Sequence, residues 1–459
     1  MVDCALKHDD KIFDKNILLS DDSNLIQVNL DCQLNDQVKC NKVENTFKLA
    51  GEIINYALVL NTPIIVNAIF RPLGNPKVLG GAAASRLISI PDDEDNTERL
   101  YPQALVKQLG LQIPIVKFAS SDIIAQFNSL KDWYFPDDEG SIRPDQNDIL
   151  NTVLHELIHG LGFFSSWKNY LDEQLQSPTS GLTPIFSSGS NATSNLPFGS
   201  FEFTGFYETI FDKFIMINND GKQEKLSMLA NELNQFSGKN KLFTHLSSFN
   251  DEFRNSPQYE AAKKMLSLSM VKNSLIFMPK GTTKINDGLI LETSLGTYAT
   301  GSSIVHVDYN KYSRDSDFLM IYNSVAGISM NDLIKKTGNR TGTAIGPKLL
   351  KALNSIGYTL ADNPIKSSTT SISISNSFSL IVISCQLFNR RYTSYDGHSV
   401  NNLLKKKIIS SFKCLNKILD LFDVSTPKGY SLKMQEFMES SNKDLKELLQ
   451  YGLGVHVRS

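Results

Sequence analysis

Apolar positions along the chain fall into two periodicities. In "TFKLAGEIINYALVL" the residues Phe47, Ala50, Ile53, Ile54 and Leu58 share one side of a 3.6-residue repeat, which predicts an amphipathic helix. The run "TPIIVNAIF" follows, rich in β-branched residues, and predicts a buried strand. "GNPKVLGGAAASR" reads as a Gly-rich loop, "LYPQALVKQLG" as a short helix and "DIIAQFNS" as a second strand. A second long helix is expected in "RPDQNDILNTVLHELIHGLG". Its apolar side is Ile149, Leu150, Val153, Leu154, Leu157, Ile158 and Leu161, with Asp145 or Asp148 able to cap its start and Gly160 and Gly162 suited to its end. This succession of helices and strands predicts an α+β fold.

The pattern also divides the chain. Residues 1–44 are polar and irregular, and 45–164 carry the layered elements up to the second helix. Residues 165–300 begin rich in Ser, Gly, Pro and Asn and pass through mixed stretches such as "ETIFDKFIMIN" and "QYEAAKKMLSLSM". Residues 301–362 hold "IVHVDYNKYSRDSDFLM" and a last helix in "IGPKLLKALNSIGY". A Ser/Thr-rich linker occupies 363–377, and 378–459 form a tail with a basic amphipathic helix, to which no chemistry is assigned.

Composition narrows the function classes. Across 459 residues, 41% apolar and 20% charged content is that of a chain able to build a globular core. A net charge of −2 gives no drive towards nucleic acid, and no such partner is expected. No apolar run is long enough to span a membrane, and the first sixteen residues show no apolar signal region. Five cysteines without a CxxC pair argue against a cysteine-bound metal. Cys32 and Cys40 are close enough for a local disulfide or are free thiols. Sequons at Asn191 and Asn339 would suit a secreted chain.

The chemistry concentrates in "VLHELIHGLGF". Residues four apart on a helix share a face, so His155 and His159 can point imidazoles at one metal ion. Glu156, one step round, suits a base acting on a water beside that ion. A zinc site needs a third ligand. The longer H-E-x-x-H-x-x-G-x-x-H signature is kept at Gly162 but meets Ser165 where its last histidine belongs. The candidates are His306 in "SSIVHVDYN", the carboxylates Glu208 and Asp212 in "FYETIFDKF", and His245 in "FTHLSSF".

The order "HELIHGLGF", "SSIVHVD", "FLM", "ALNSIGY" resembles the leishmanolysin-like branch of the metzincins, over roughly Asn45 to Thr359. The resemblance implies a metzincin-type catalytic domain: a twisted mixed sheet plus the active-site helix, zinc in the cleft, and a mostly helical or irregular C-terminal subdomain, here with a long insertion and a helical tail. It implies one zinc ion held by His155, His159 and His306, with Glu156 as general base and Met320 as the apolar floor. Tyr322, two residues after Met320, is either a packed aromatic or, as in astacin-like relatives, a group that reaches the metal. The implied activity is zinc-dependent hydrolysis of peptide bonds in a protein or peptide substrate. Substrate would lie as an extra strand on a sheet edge, for which "DIIAQFNS" is one possibility. Relatives of this type are secreted or cell-surface proteins. The dense cysteine framework of leishmanolysin is missing from this chain. The alternative is a catalytically degenerate zinc scaffold or interaction protein, which would close the site with a fourth protein ligand.

Overall fold

The computed structural model describes residues 24–111, 118–167, 183–188, 200–219, 222–338 and 343–361. The linker 363–377, the tail 378–459, both sequons and residues 1–23 of the polar arm lie outside the described residues. What is described is α+β, with several small sheets rather than one large one.

The sheet nearest the histidines has four strands: β1 (Ile26–Cys32), β2 (Ile64–Arg71), β3 (Gly80–Ala84) and β4 (Ile123–Asn128), in the spatial order β1-β2-β4-β3. β1, β2 and β4 run parallel, with Ile26 opposite Ile64 and Val66 opposite Ile123. β3 runs antiparallel to β4, with Gly80 opposite Phe127. Alternation shows why these residues form strands. Ile64, Val66, Ala68 and Phe70 of β2 are buried on one face, while Ile65, Asn67 and Ile69 are half-exposed on the other.

Two helices cover the buried face. α1 (Gln37–Ala57) and α2 (Ile149–Leu161) pack on each other, and α2 also lies along β3 and β4. Phe47 and Ile54 of α1, Phe70 of β2, Ile123 and Phe127 of β4 and Val153, Leu157 and Leu161 of α2 are all fully buried. Phe47 meets Phe127 edge-on at 5.4 Å. Each such side chain contributes about 1.5–3 kcal/mol when fully removed from water. Gly160 lets α2 approach β4: a Cβ there would lie 2.6–2.8 Å from the Ile123 side chain.

Three expectations need correcting. The segment 1–44 is not wholly an irregular arm, because Ile26–Cys32 is a strand of the main sheet and α1 starts at Gln37. The first turns of α1 are mostly exposed and so lack apolar periodicity, but Asp36 caps them by accepting from the Lys39 amide. The Cys32–Cys40 disulfide ties the end of β1 to the first turns of α1. The Gly-rich "loop" contains β3, a strand of glycine and alanine specified by pairing with β4 rather than by propensity. "DIIAQFNS" is an interior strand, so β3 and not β4 lies at the sheet margin beside α2.

Of the stretch 165–300, the part from Ser200 is ordered, as "ETIFDKFIMIN" and "QYEAAKKMLSLSM" lead one to expect, and most of the Ser/Gly-rich part before it lies outside the described residues. From Ser200 it builds strands Phe201–Tyr207 and Ile215–Asn219 and helices Ser227–Leu233, Leu246–Arg254 and Tyr259–Leu268. Phe203, Phe206, Phe236, Phe243, Phe249 and Phe253 form its own aromatic core, with Phe203 and Phe249 at 4.9 Å. The last helix, α3 (Pro347–Ile356), follows the expected "ALNSIGY" pattern and stops at Gly357 with φ 129°. Among the described residues no helix is long and apolar enough to cross a membrane.

Candidate metal centre

α2 begins where Asp148 accepts from the Asn151 amide and ends at Gly162, whose φ is 124°. Of the two capping acids, Asp148 fills the role. Its second oxygen accepts from the Met330 amide, which pins the helix start to the C-terminal part of the site. Burial pushes Asp148 up to about 6.

His155 and His159 project from α2, and His306 arrives from a loop held on both sides. Val307 forms bridges to Leu291 and to Ile321, and the Glu292 amide donates to the His306 carbonyl at 2.8 Å. The Glu292 carboxylate accepts from the amides of Ser294 and Tyr309, so it closes the loop around His306 from within. The three rings converge. Nε2 of His306 lies 3.1 Å from Nε2 of His155 and 3.2 Å from Nε2 of His159. His155, His159 and His306 are a group that could hold a metal ion.

The other ring nitrogens decide the protonation. Nδ1 of His155 lies 2.6 Å from the Leu319 carbonyl, Nδ1 of His159 2.7 Å from that of Phe163, and Nδ1 of His306 3.2 Å from that of Ser302. A carbonyl oxygen only accepts, so each Nδ1 carries the hydrogen. Each Nε2 of a neutral ring then presents a lone pair. Lone pairs this close repel one another, and a shared cation resolves the conflict. Three nitrogens around a tetrahedral zinc at about 2.0–2.1 Å would themselves stand about 3.3 Å apart, close to the observed spacing. Burial also lowers the histidine pKa values, to about 4 for His155, to about 3 for His159 and well below the usual range for His306, which favours neutral rings at pH 7. The residues present therefore fit zinc.

Glu156 is 9% exposed and sits at the same cleft. Burial raises its carboxyl to about 7, opposed by a hydrogen bond from the Ala82 backbone on β3. Met320 is fully buried in the turn Phe318–Met320. That turn reaches both ligand segments, because Leu319 holds His155 and the Met320 carbonyl accepts from the Val307 amide. The cleft has a volume of about 660 Å³ and is lined by all of β3, the three histidines, Glu156 and Tyr322. Tyr322 is 37% exposed at the cleft and its ring lies 5.6 Å from that of Tyr309.

The rival third ligands are engaged elsewhere. Glu208 is buried beside Arg99 at 3.4 Å and accepts from Ser227. Asp212 is buried among Ser165, Ser166 and Thr209. His245 is exposed at the start of the helix Leu246–Arg254. None of the three joins the histidine group.

A family model described as SPBPB7E8-like matches residues 3–380, which include every residue of this centre. The chain belongs to that family. It is similar to the uncharacterized protein PB7E8.01 of Schizosaccharomyces pombe, 26% identical over 369 residues, covering 74% of this chain and 63% of that protein. The chain thus spans less than two thirds of the length of the curated relative it matches. No solved structure matches it.

Within this family member, sequence reasoning missed the groups that orient the three histidines. The Leu319, Phe163 and Ser302 carbonyls leave no mark in a residue pattern, since any side chain could carry them. Asp308, two residues after His306, caps the short helix Tyr309–Tyr312 by accepting from the Lys311 amide and makes no hydrogen bond to the rings.

Proposed function

We propose that this chain is a zinc-dependent metalloendopeptidase, built as the leishmanolysin-like metzincins are, with one zinc on His155, His159 and His306. The observation that carries this reading is the convergence of three neutral Nε2 acceptors beside a buried glutamate at the wall of an open cleft. A closed structural site would need a fourth protein ligand, and among the described residues three converge.

Zinc held there would supply Lewis acidity, polarising a peptide carbonyl and lowering the pKa of water to about 7. The protein's own part falls to Glu156. Its carboxylate takes the proton from the attacking water as the water oxygen bonds to the carbonyl carbon, and returns it to the amide nitrogen as the C–N bond breaks. The products are a carboxylate and an amine. β3 borders the cleft with main chain and methyl groups only, which suits an extended peptide laid alongside it and read through its backbone. The Cys32–Cys40 disulfide supports an oxidising, secreted or cell-surface setting.

The test is hydrolysis of an unfolded protein substrate by purified full-length chain. Activity should vanish with a zinc chelator and return with added zinc. Hydrolysis that is indifferent to the chelator, or none in zinc-loaded protein, would refute the assignment.

A further inference from the structure

The exit of α2 is held by a carboxylate that does not join the histidine group. Asp212 is fully buried and receives five hydrogen bonds. Its donors are the Ser165 hydroxyl at 2.5 Å, the Ser166 amide at 3.1 Å and hydroxyl at 2.8 Å, and the Thr209 amide at 2.8 Å and hydroxyl at 2.9 Å. The Thr209 hydroxyl is also 3.2 Å from the Phe164 carbonyl. These contacts clamp residues 164–166, the chain that leaves α2. Phe163, directly before them, supplies the carbonyl that orients His159 at 2.7 Å.

Ser165 occupies the position where the longer zinc signature carries its third histidine. Its hydroxyl is committed to Asp212 instead. The same position that would complete the metal site in that signature here anchors the chain leaving the helix, while the third histidine of the group comes from 141 residues further on (306 minus 165).

We propose that Asp212 is the positioning residue of the metal centre: through Ser165, Ser166 and Thr209 it fixes the exit from α2, and so holds the Phe163 carbonyl against Nδ1 of His159. The inference rests on the zinc reading above. Its chemical logic is that of an outer-shell carboxylate acting through a backbone carbonyl to set a ligand's tautomer and aim. Asp212→Asn keeps the size and can hold its oxygen at the Oδ2 position, which takes four of the five hydrogen bonds, but it removes the charge and sets an NH2 against the Ser165 hydroxyl that donates to Oδ1, so the clamp on Ser165 and the aim of the Phe163 carbonyl at His159 weaken.

The experiment measures zinc affinity of the full chain by chelator competition, well below the melting temperature, together with the cobalt(II) absorption spectrum of each protein. The variants are Asp212→Asn, Ser165→Ala and Phe253→Leu, the last a destabilising control in the remote aromatic core. Asp212→Asn should bind zinc about tenfold to a hundredfold more weakly and shift the cobalt bands. Ser165→Ala should weaken binding about threefold, and it carries the test if Asp212→Asn does not fold. Phe253→Leu should lose melting temperature and keep wild-type affinity and spectrum. Affinity and spectrum unchanged in folded Asp212→Asn, or in Ser165→Ala if that variant stands alone, would overturn the proposal while leaving the zinc site intact. A wild type that takes up no zinc would overturn both.

Discussion

The carbonyl of Leu319 lies 2.6 Å from Nδ1 of His155, joining residues 164 positions apart in sequence. This contact puts the turn that carries Met320 against His155, and it fixes that ring's tautomer. The carbonyl immediately after it, that of Met320, takes the Val307 amide beside His306. The turn thus couples two of the three histidines through its two main-chain carbonyls. This explains how a loop histidine can be aimed as firmly as two on a helix.

Removing the base should separate binding from chemistry. Glu156→Gln keeps the shape of the side chain and leaves all three histidines in place. Zinc content should stay at the wild-type level, and peptide hydrolysis should fall by roughly a hundred- to ten-thousandfold. Elemental analysis and a cleavage assay on the same preparation check both halves. Loss of zinc along with activity would mean that Glu156 acts in holding the metal.

Gly160 tests the close contact of α2 with β4. A methyl there would sit 2.6–2.8 Å from Ile123, which is itself fully buried. Gly160→Ala should therefore destabilise the fold by about 1–3 kcal/mol, despite alanine being the better helix former. Thermal or denaturant unfolding reads the effect. A neutral or stabilising result would show that the helix and strand can separate freely.

These residues also show what could be read from the chain alone. The placing of His155 and His159 on one helix face with Glu156 beside them was legible because H-E-x-x-H is a local pattern whose spacing matches a helix turn. His306 was legible by its neighbours. β3 was not, because glycine and alanine carry no strand signal and its register is set by a partner about 45 residues away. The start of α1 was hidden by its exposed polar turns, and the aromatic core after Ser200 by phenylalanines that meet only in three dimensions. Gly160 and Gly162 mark the helix end as expected, the helix stopping at Leu161, but the sequence does not show that Gly160 also makes room for Ile123 of β4.

Asp148 should make stability depend on pH in a definite direction. Burial, with a smaller contribution from Asp332, raises its folded value to about 6 from an ordinary 3.8. The folded state therefore binds the proton more tightly than the unfolded chain does. This group's contribution is most favourable below pH about 4 and declines as pH rises towards 6, beyond which it is constant. Relative to Asp148→Asn, wild type should gain stability as pH is lowered from 7 to 4, by up to about 3 kcal/mol. Urea unfolding of both proteins across that range measures the difference. A difference that does not change with pH would mean that Asp148 keeps an ordinary pKa in the folded chain.

The most direct test of the central claim is zinc per chain in wild type and in His306→Ala, by elemental analysis of folded protein. The expected result is one zinc in the wild type and a large loss in the variant, with circular dichroism unchanged. Full zinc in His306→Ala would contradict the three-histidine centre, and no zinc in either protein after reconstitution would contradict the metalloenzyme reading altogether.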